Sequence, residues 1–219
     1  MSIREFADST VEPPIRGFLH VPETHNGEAL VLTHGAGGNA QAPLLRALAD
    51  TFASAGYTVL RCNLPYRQTR SFGPPGPGDA ARDRAGLAHA VAAVRKFASS
   101  RIYLGGHSYG GRQASMLCAE QPDLVPALLL LSYPLHPPRR SEQQRTQHLP
   151  DLRTPTLFVH GTRDPFGTIA ELERAIKMIP AKTKLLPVEG AGHDLGFKGK
   201  TRKEELLERV SEEFQKFVQ

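Results

Sequence analysis

The sequence has little cysteine and no long apolar run. Two cysteines, Cys62 and Cys118, in 219 residues cannot build a disulfide framework, which excludes the small stapled secreted scaffolds. Both fall in stretches that read as strand and helix, where a thiol serves as a small core residue. The longest apolar run, Ala127 to Leu131, is far short of the ~20 residues that a membrane-spanning helix needs. Residues 1–8 carry acids and an arginine in place of an apolar stretch, so no secretory signal is expected there. The nine histidines show no metal-ligand spacing, and P-loop, zinc-finger and RRM signatures are missing. Neither a metal nor an organic cofactor is expected, nor a nucleic-acid partner. The net charge of +5 permits an acidic partner without arguing for one, because the basic residues are scattered; the densest cluster, Lys198 to Lys203, runs straight into Glu204 and Glu205. A reducing cytoplasm is the expected compartment, with no membrane partner.

What the sequence does have is ordinary globular composition, 40% hydrophobic and 22% charged, and a steady alternation of short apolar runs with amphipathic stretches. At roughly 150 residues per domain, the length predicts a single domain over residues 1–219. Strands are expected at 15–22 (an edge hairpin being one option), 29–33, 57–62, 101–105, 127–132, 156–160 and 184–188. Helices are expected at 41–55, 80–99, 110–121, 168–178 and 201–218. The last two open on capping boxes, Thr168 with Glu171 and Thr201 with Glu204. Residues 127–132 are almost wholly apolar, as suits a strand covered on both faces. The β-α alternation predicts an α/β fold: a mostly parallel, doubly wound sheet with helices on both sides. Two polar, proline-rich excursions, 65–79 and 134–155, leave the end of the sheet where such folds bind ligands. Neither is long enough to make a cap domain.

The most informative stretch is Gly106-His107-Ser108-Tyr109-Gly110, directly after an apolar strand and before a helix. A serine in a G-x-S-x-G of that setting sits on a sharp turn with its hydroxyl raised above the sheet. Its glycines avoid collisions where strand and helix pack closely. The bland reading is a serine that only caps the helix. A serine nucleophile needs a base and an orienting acid, which on this kind of sheet follow in the order Ser, Asp, His. Asp164 follows the 156–160 strand and His193 follows the 184–188 strand, both on the rim that carries Ser108. The oxyanion hole needs two backbone N–H groups. Tyr109 is expected to supply one, and Ala36, in the loop His34-Gly35-Ala36-Gly37-Gly38-Asn39, the other, with Gly35 as the nearest competitor. His34, His107 and His160 read as structural hydrogen-bonding residues. Arg67 and Arg70 read as a solvated loop, with contact to an anionic substrate group as the alternative. Tyr66 and Tyr133 are candidate cleft walls.

On its HGAGGN loop, GHSYGG elbow, HGTRDP loop and GAGHDL loop the chain resembles the α/β-hydrolase superfamily. More narrowly, on Asn63-Leu64-Pro65-Tyr66 with Arg70 and Pro74-Pro75, it is similar to small cap-less dienelactone-hydrolase-like proteins related to testis-expressed and chromatin-complex subunits. True dienelactone hydrolases carry a cysteine where this chain has Ser108. The resemblance implies esterase, thioesterase, peptidase or acyltransferase chemistry and does not select among them. The expected function is therefore a serine hydrolase acting on a small ester, thioester or similar acyl bond, with Ser108, His193 and Asp164 as the triad. A small acyl compound is the expected partner, and the expected state is monomer or homodimer. An acyltransferase with the same triad and a non-catalytic interaction module are the alternatives.

Overall fold

Strands buried on both faces need cover from two layers of helices, and the computed structural model, which describes residues 1–197 and 204–219, provides them. Eight strands form one sheet: β1 (Ser2–Asp8), β2 (Ile15–Val21), β3 (Ala29–Thr33), β4 (Thr58–Cys62), β5 (Ile102–His107), β6 (Leu128–Leu131), β7 (Thr156–Gly161) and β8 (Thr183–Val188). Their order is β1-β2-β4-β3-β5-β6-β7-β8. From β4 to β8 every neighbouring pair is parallel, while β1, β2 and β4 pair antiparallel. The helices are α1 (Pro43–Ser54), α2 (Pro65–Thr69), α3 (Asp79–Val94), α4 (Tyr109–Glu120), α5 (Ile169–Ile176) and α6 (Glu204–Val218).

Because side chains alternate along a strand, each central strand feeds two cores. Leu30, Leu32, Val59, Tyr103, Leu129 and Leu157 pack with α1 and α6. Val31, Leu60, Leu104, Leu128, Leu130 and Phe158 pack on the other face with Leu87 and Val91 of α3, Leu117 of α4 and Leu172 of α5. The first core is pinned by Phe214, whose ring meets Phe52 and Tyr103 edge-on at 5.8 and 5.2 Å. Full burial of side chains of this kind stabilises by about 1.5–3 kcal/mol each.

The sequence reading needs three corrections. Residues 2–8 form a full edge strand, paired with β2 from Ser2↔Val21 to Asp8↔Ile15. The hairpin option for 15–22 is thus realised, with a partner that apolar patterning did not mark because only Phe6 of β1 is buried. The 65–79 excursion opens with a helix, α2, whose Pro65 sits in the first turn where a missing N–H costs nothing. The helix expected over 80–99 ends at Val94 and passes into a 3-10 turn, Arg95–Phe97. The Thr168–Glu171 capping box is formed in full. The Thr201 cap and the Lys198–Lys203 cluster lie outside the described residues.

Candidate active site

The site begins with a strained turn. Between β5 and α4, Ser108 has φ 52° and ψ −119°. A non-glycine residue at positive φ costs on the order of 1–3 kcal/mol and needs its surroundings to hold it. The surroundings are glycines. A Cβ on Gly106 would lie 2.6 Å from the Gly111 nitrogen, and one on Gly110 would lie 2.4 Å from the His34 carbonyl oxygen. Backbone bonds then fix the turn: the Ser108 N–H donates to Leu131 O at 2.8 Å and the Arg112 N–H donates to Ser108 O at 2.9 Å.

The loops after β7 and β8 meet Ser108 from the side. They run so close together that a Cβ on Gly161 would lie 2.3 Å from the Ala191 carbonyl oxygen, and the Arg163 N–H donates to that oxygen at 2.9 Å. This juxtaposition brings Asp164 to His193. His193 Nδ1 lies 2.8 Å from Asp164 Oδ2 and 3.0 Å from Oδ1, and Nε2 lies 2.7 Å from Ser108 Oγ. A buried carboxylate only accepts, so Nδ1 carries the proton and Nε2 is free to accept from the serine hydroxyl. Asp164 also accepts the Phe166 N–H at 2.9 Å, and the Phe166 ring lies against the His193 imidazole, centroids 4.1 Å apart. Asp194, the sequence neighbour of His193, turns Oδ1 to the Gly196 N–H at 3.0 Å.

The 34–38 loop packs against the nucleophile: a Cβ on Gly35 would lie 3.2 Å from Ser108 Cβ. Tyr109, first residue of α4, has an N–H with no helical carbonyl behind it. Among the described residues the Ala36 N–H donates to no carbonyl. Both N–H groups are thus unspent on the backbone ladder, and Tyr109 directly follows Ser108 in the chain.

Arg67, Tyr66 and Tyr133 sit differently from what the sequence suggests. Arg67 is 7% exposed and solvates nothing. Its Nε donates to Gly38 O at 2.8 Å, Nη2 to Ala36 O at 3.0 Å and Gly73 O at 2.7 Å, and Nη1 to Arg70 O at 3.1 Å. Tyr66 is fully buried, and its hydroxyl donates to Ala36 O at 2.8 Å. Asp83 of α3 accepts both the Tyr66 N–H, at 3.1 Å, and the Tyr109 hydroxyl, at 2.8 Å. Burial raises the Asp83 carboxyl above its ordinary range, against the pull of those two donors. One short helix therefore holds the Ala36 carbonyl from two directions and is tied through Asp83 to Tyr109. This clamp was missed in the sequence, and only the positions of Tyr66 and Arg67 near a strand end hinted at it. Tyr133 is also fully buried, its hydroxyl donating to Arg145 O at 2.8 Å, so neither tyrosine is an open cleft wall. Arg70 pairs with Asp79.

The three other histidines take the hydrogen-bonding places expected of them. His34 Nδ1–H donates to Gly35 O at 2.9 Å while Nε2 accepts the Leu64 N–H at 3.1 Å. His107 Nε2–H donates to His193 O at 2.8 Å, and His160 Nε2–H to Gly167 O at 2.8 Å. Burial pushes His34 and His107 down to about 4, so both stay neutral at pH 7. Among the described residues no three His, Cys, Asp or Glu side chains converge as metal ligands, and no helix is long and apolar enough to cross a membrane.

A family model described as an alpha/beta hydrolase domain matches residues 26–219. A 2-hydroxy-6-oxononadienedioate/2-hydroxy-6-oxononatrienedioate hydrolase from Pseudomonas sp. is 31% identical over 130 residues, 58% of this chain and 44% of that protein. The chain spans less than half the length of the curated relatives it matches. The structure of a dienelactone hydrolase from Anabaena variabilis superposes with a TM-score of 0.76 at 22% identity, covering 100% of both chains. That of XC6422 from Xanthomonas campestris, described as a serine hydrolase without lid, superposes with a TM-score of 0.78 at 15% identity over 99% of this chain and 95% of its own. At these identities the solved structures establish the fold, that of an α/β-hydrolase domain with a mostly parallel sheet; the described residues form no cap domain.

Proposed function

The chain belongs to the alpha/beta hydrolase family, and from that premise we propose that it cleaves a small ester, thioester or similar acyl bond through an acyl-enzyme on Ser108. The observation that carries this reading is the unbroken hydrogen-bond chain from Ser108 Oγ through His193 to Asp164, at 2.7 and 2.8 Å. Those lengths are what a nucleophile, a base and an orienting acid require.

In this reading Ser108 Oγ bonds to the substrate carbonyl carbon while its proton passes to His193 Nε2. The carbonyl electron pair moves onto oxygen, which the Ala36 and Tyr109 N–H groups stabilise. Collapse restores the carbonyl and breaks the bond to the alkoxide or thiolate, which leaves with the proton from His193. Water then adds to the acyl group and gives a proton to His193. The second collapse releases the acid and returns the proton to Ser108. Asp164 keeps the proton on Nδ1 and stabilises the imidazolium in both halves. The segments beside Ser108 form no cap, so little apolar area is available to a long chain, and short acyl groups are favoured. A fluorophosphonate probe tests the reading together with turnover of 4-nitrophenyl butyrate. Labelling and hydrolysis are expected in the wild type, with both lost in Ser108→Ala. A folded wild type that neither labels nor turns over would identify a non-catalytic module, and one that turns over equally after the substitution would displace Ser108.

A further inference from the structure

One turn after β7 presents two different side chains to the His193 imidazole. Asp164 meets its edge, Oδ2 lying 2.8 Å from Nδ1. Two residues on, Phe166 covers its face. The ring centroids are 4.1 Å apart and the planes are tilted by 32°, closer to a stack than to an edge contact. Every other aromatic pair among the described residues has its centroids 5.2 Å apart or more and its planes tilted by 48° or more. The backbone around the Phe166 ring is fixed on both sides. The Phe166 N–H donates to Asp164 Oδ1 at 2.9 Å, and the Phe166 carbonyl accepts the His136 N–H at 3.0 Å. The Gly167 carbonyl then accepts from His160 Nε2 at 2.8 Å, and a Cβ on Gly167 would lie 3.0 Å from Leu135 Cβ. The turn that carries the acid therefore carries the ring with it. Phe166 is half-buried and the His193 side chain is 22% exposed, so water reaches the imidazole only in part.

In the reaction proposed above, His193 takes a proton from Ser108, gives it to the leaving group and takes another from water. The imidazole is neutral at rest and gains positive charge in each transition state. The face of a benzene ring is the negative part of its quadrupole, and it attracts a cation within ~6 Å of the centroid. A neutral imidazole gains only the packing. The contact is thus stronger in the transition state than in the ground state, the condition under which an interaction raises kcat. The other titratable groups near the imidazole do not duplicate it. The His107 ring, its centroid 5.2 Å from that of His193, is pushed down to about 4 by burial and stays neutral. His160, with Nε2 3.8 Å from Asp164 Oδ2, is lowered by burial too. Asp194 turns Oδ1 to the Gly196 N–H.

We propose that Phe166 is a positioning residue whose π face stabilises the His193 imidazolium, so that one turn supplies both the ion's counter-charge and its cover. The proposal rests on the reading of His193 as the base for its effect on turnover; the contact with the charged ring does not depend on that reading.

The test changes the charge on the face of the ring while keeping its packing. Position 166 is filled in turn with 4-fluoro-, 3,5-difluoro- and pentafluorophenylalanine, which withdraw π density in that order at nearly constant shape. With 4-nitrophenyl butyrate, kcat is expected to fall steadily along the series, by about two- to fivefold at its end, with KM unchanged. The titration midpoint of the His193 ring, followed by nitrogen NMR, is expected to fall in the same order by about 0.3–0.7 pH unit, the same factor on a logarithmic scale. Asp164, His107, His160 and Asp194 are the same in every member of the series, so a trend belongs to the ring face. Phe166→Leu, which stays apolar but loses the face, is expected to match the end of the series, and Phe166→Tyr to remain near wild type. A ring that serves only as packing leaves both measurements flat. A midpoint that does not move overturns the proposal, and so does a midpoint that moves while kcat stays constant. A falling midpoint in a protein that neither turns over nor labels with fluorophosphonate keeps the contact and sinks the hydrolase reading. Turnover lost in Ser108→Ala together with a flat midpoint does the reverse. The fluorinated proteins keep the test decisive if Phe166→Leu fails to fold.

Discussion

The two excursions on the ligand-binding rim look alike in sequence, both polar, proline-rich and arginine-bearing, yet they use their arginines in opposite ways. In 65–79, Arg67 is buried and donates to four backbone carbonyls, two of them in the loop that carries Ala36. In 134–155, Arg145 donates to one carbonyl through its side chain, Pro134 O at 3.2 Å, and no ion pair among the described residues engages it. A guanidinium whose donors are spent on carbonyls is a pin. A guanidinium whose counter-charge is missing has binding capacity left over. Composition alone does not separate the two; the partners do.

The largest expected effect lies between the two segments, at the chain of bonds both of them flank. Asp164→Asn keeps the size of the side chain but presents an amide to Nδ1, which favours the wrong imidazole tautomer. Ester turnover is expected to fall by up to about four orders of magnitude, by analogy with serine-protease triads. Asp194→Asn, whose parent carboxylate accepts from Gly196, is expected to cost about tenfold or less, roughly 1.4 kcal/mol of barrier. If steady-state kinetics show the reverse order, Asp164 is not the orienting acid.

The next effect sharpens the contrast directly. Arg67→Met removes the pin from the Ala36 carbonyl while leaving Ser108, His193 and Asp164 untouched. A loosened oxyanion donor is expected to lower kcat by about ten- to a hundredfold, less than the 10²–10³ seen when a donor is deleted outright. The loss should fall on kcat for neutral and acidic esters alike, with KM little changed. Arg145→Gln removes one side-chain bond, to Pro134 O, and should leave kcat within about twofold of wild type. If both variants lower kcat alike, the two arginines are not doing different jobs.

How far the sequence carried these conclusions depends on where each signal was stored. The central strands were legible because burial on both faces writes an uninterrupted apolar run, as in Leu128–Leu131. β1 was not, since only Phe6 of its seven residues is buried. Helix α2 has five residues, too few for a helical period to show. Ser108, Asp164 and His193 were legible from chain order and from their places after strands. The clamp was not, because its acceptors are carbonyls of Ala36 and Gly38, and every residue has a carbonyl. Nor was the bond from the Tyr133 hydroxyl to Arg145 O, whose acceptor is again a backbone carbonyl.

A smaller effect is expected in the pH dependence of stability. His34 in the oxyanion loop and His148 in the second excursion are both held at about 4 in the folded protein, chiefly by burial, against ~6.5 for an exposed histidine. Between those values the unfolded chain binds more protons than the folded one, so stability rises with pH there. The contribution is complete above about 6.5 and drains away as pH falls toward 4, at up to about 1.4 kcal/mol per pH unit for each histidine. Urea unfolding between pH 7 and 4 should show this slope, and His148→Gln should flatten it. An unchanged slope in His148→Gln would mean that His148 titrates alike in both states.

The smallest effect is expected at the other arginine of the first excursion. Arg70 sits three residues after Arg67, and the two read alike in sequence, but its side chain is 45% exposed and its partner Asp79 28% exposed. The pair is therefore screened by water and salt, and exposed pairs of this kind contribute about 0–1 kcal/mol. The bond that Arg70 gives to the pinned region comes from its backbone carbonyl, which accepts from Arg67, and Arg70→Ala keeps that carbonyl. The substitution also removes a guanidinium lying 5.8 Å from the Tyr66 ring, worth ~0.5–1 kcal/mol at an exposed site. Arg70→Ala should thus shift the urea midpoint by only a small amount, an amount that shrinks further in 0.5 M salt, and leave kcat within about twofold of wild type because the Ala36 carbonyl keeps its Arg67 and Tyr66 donors. A loss of kcat comparable to that of Arg67→Met would mean that the loop is held through the Arg70–Asp79 pair and that Arg67 is not the pin.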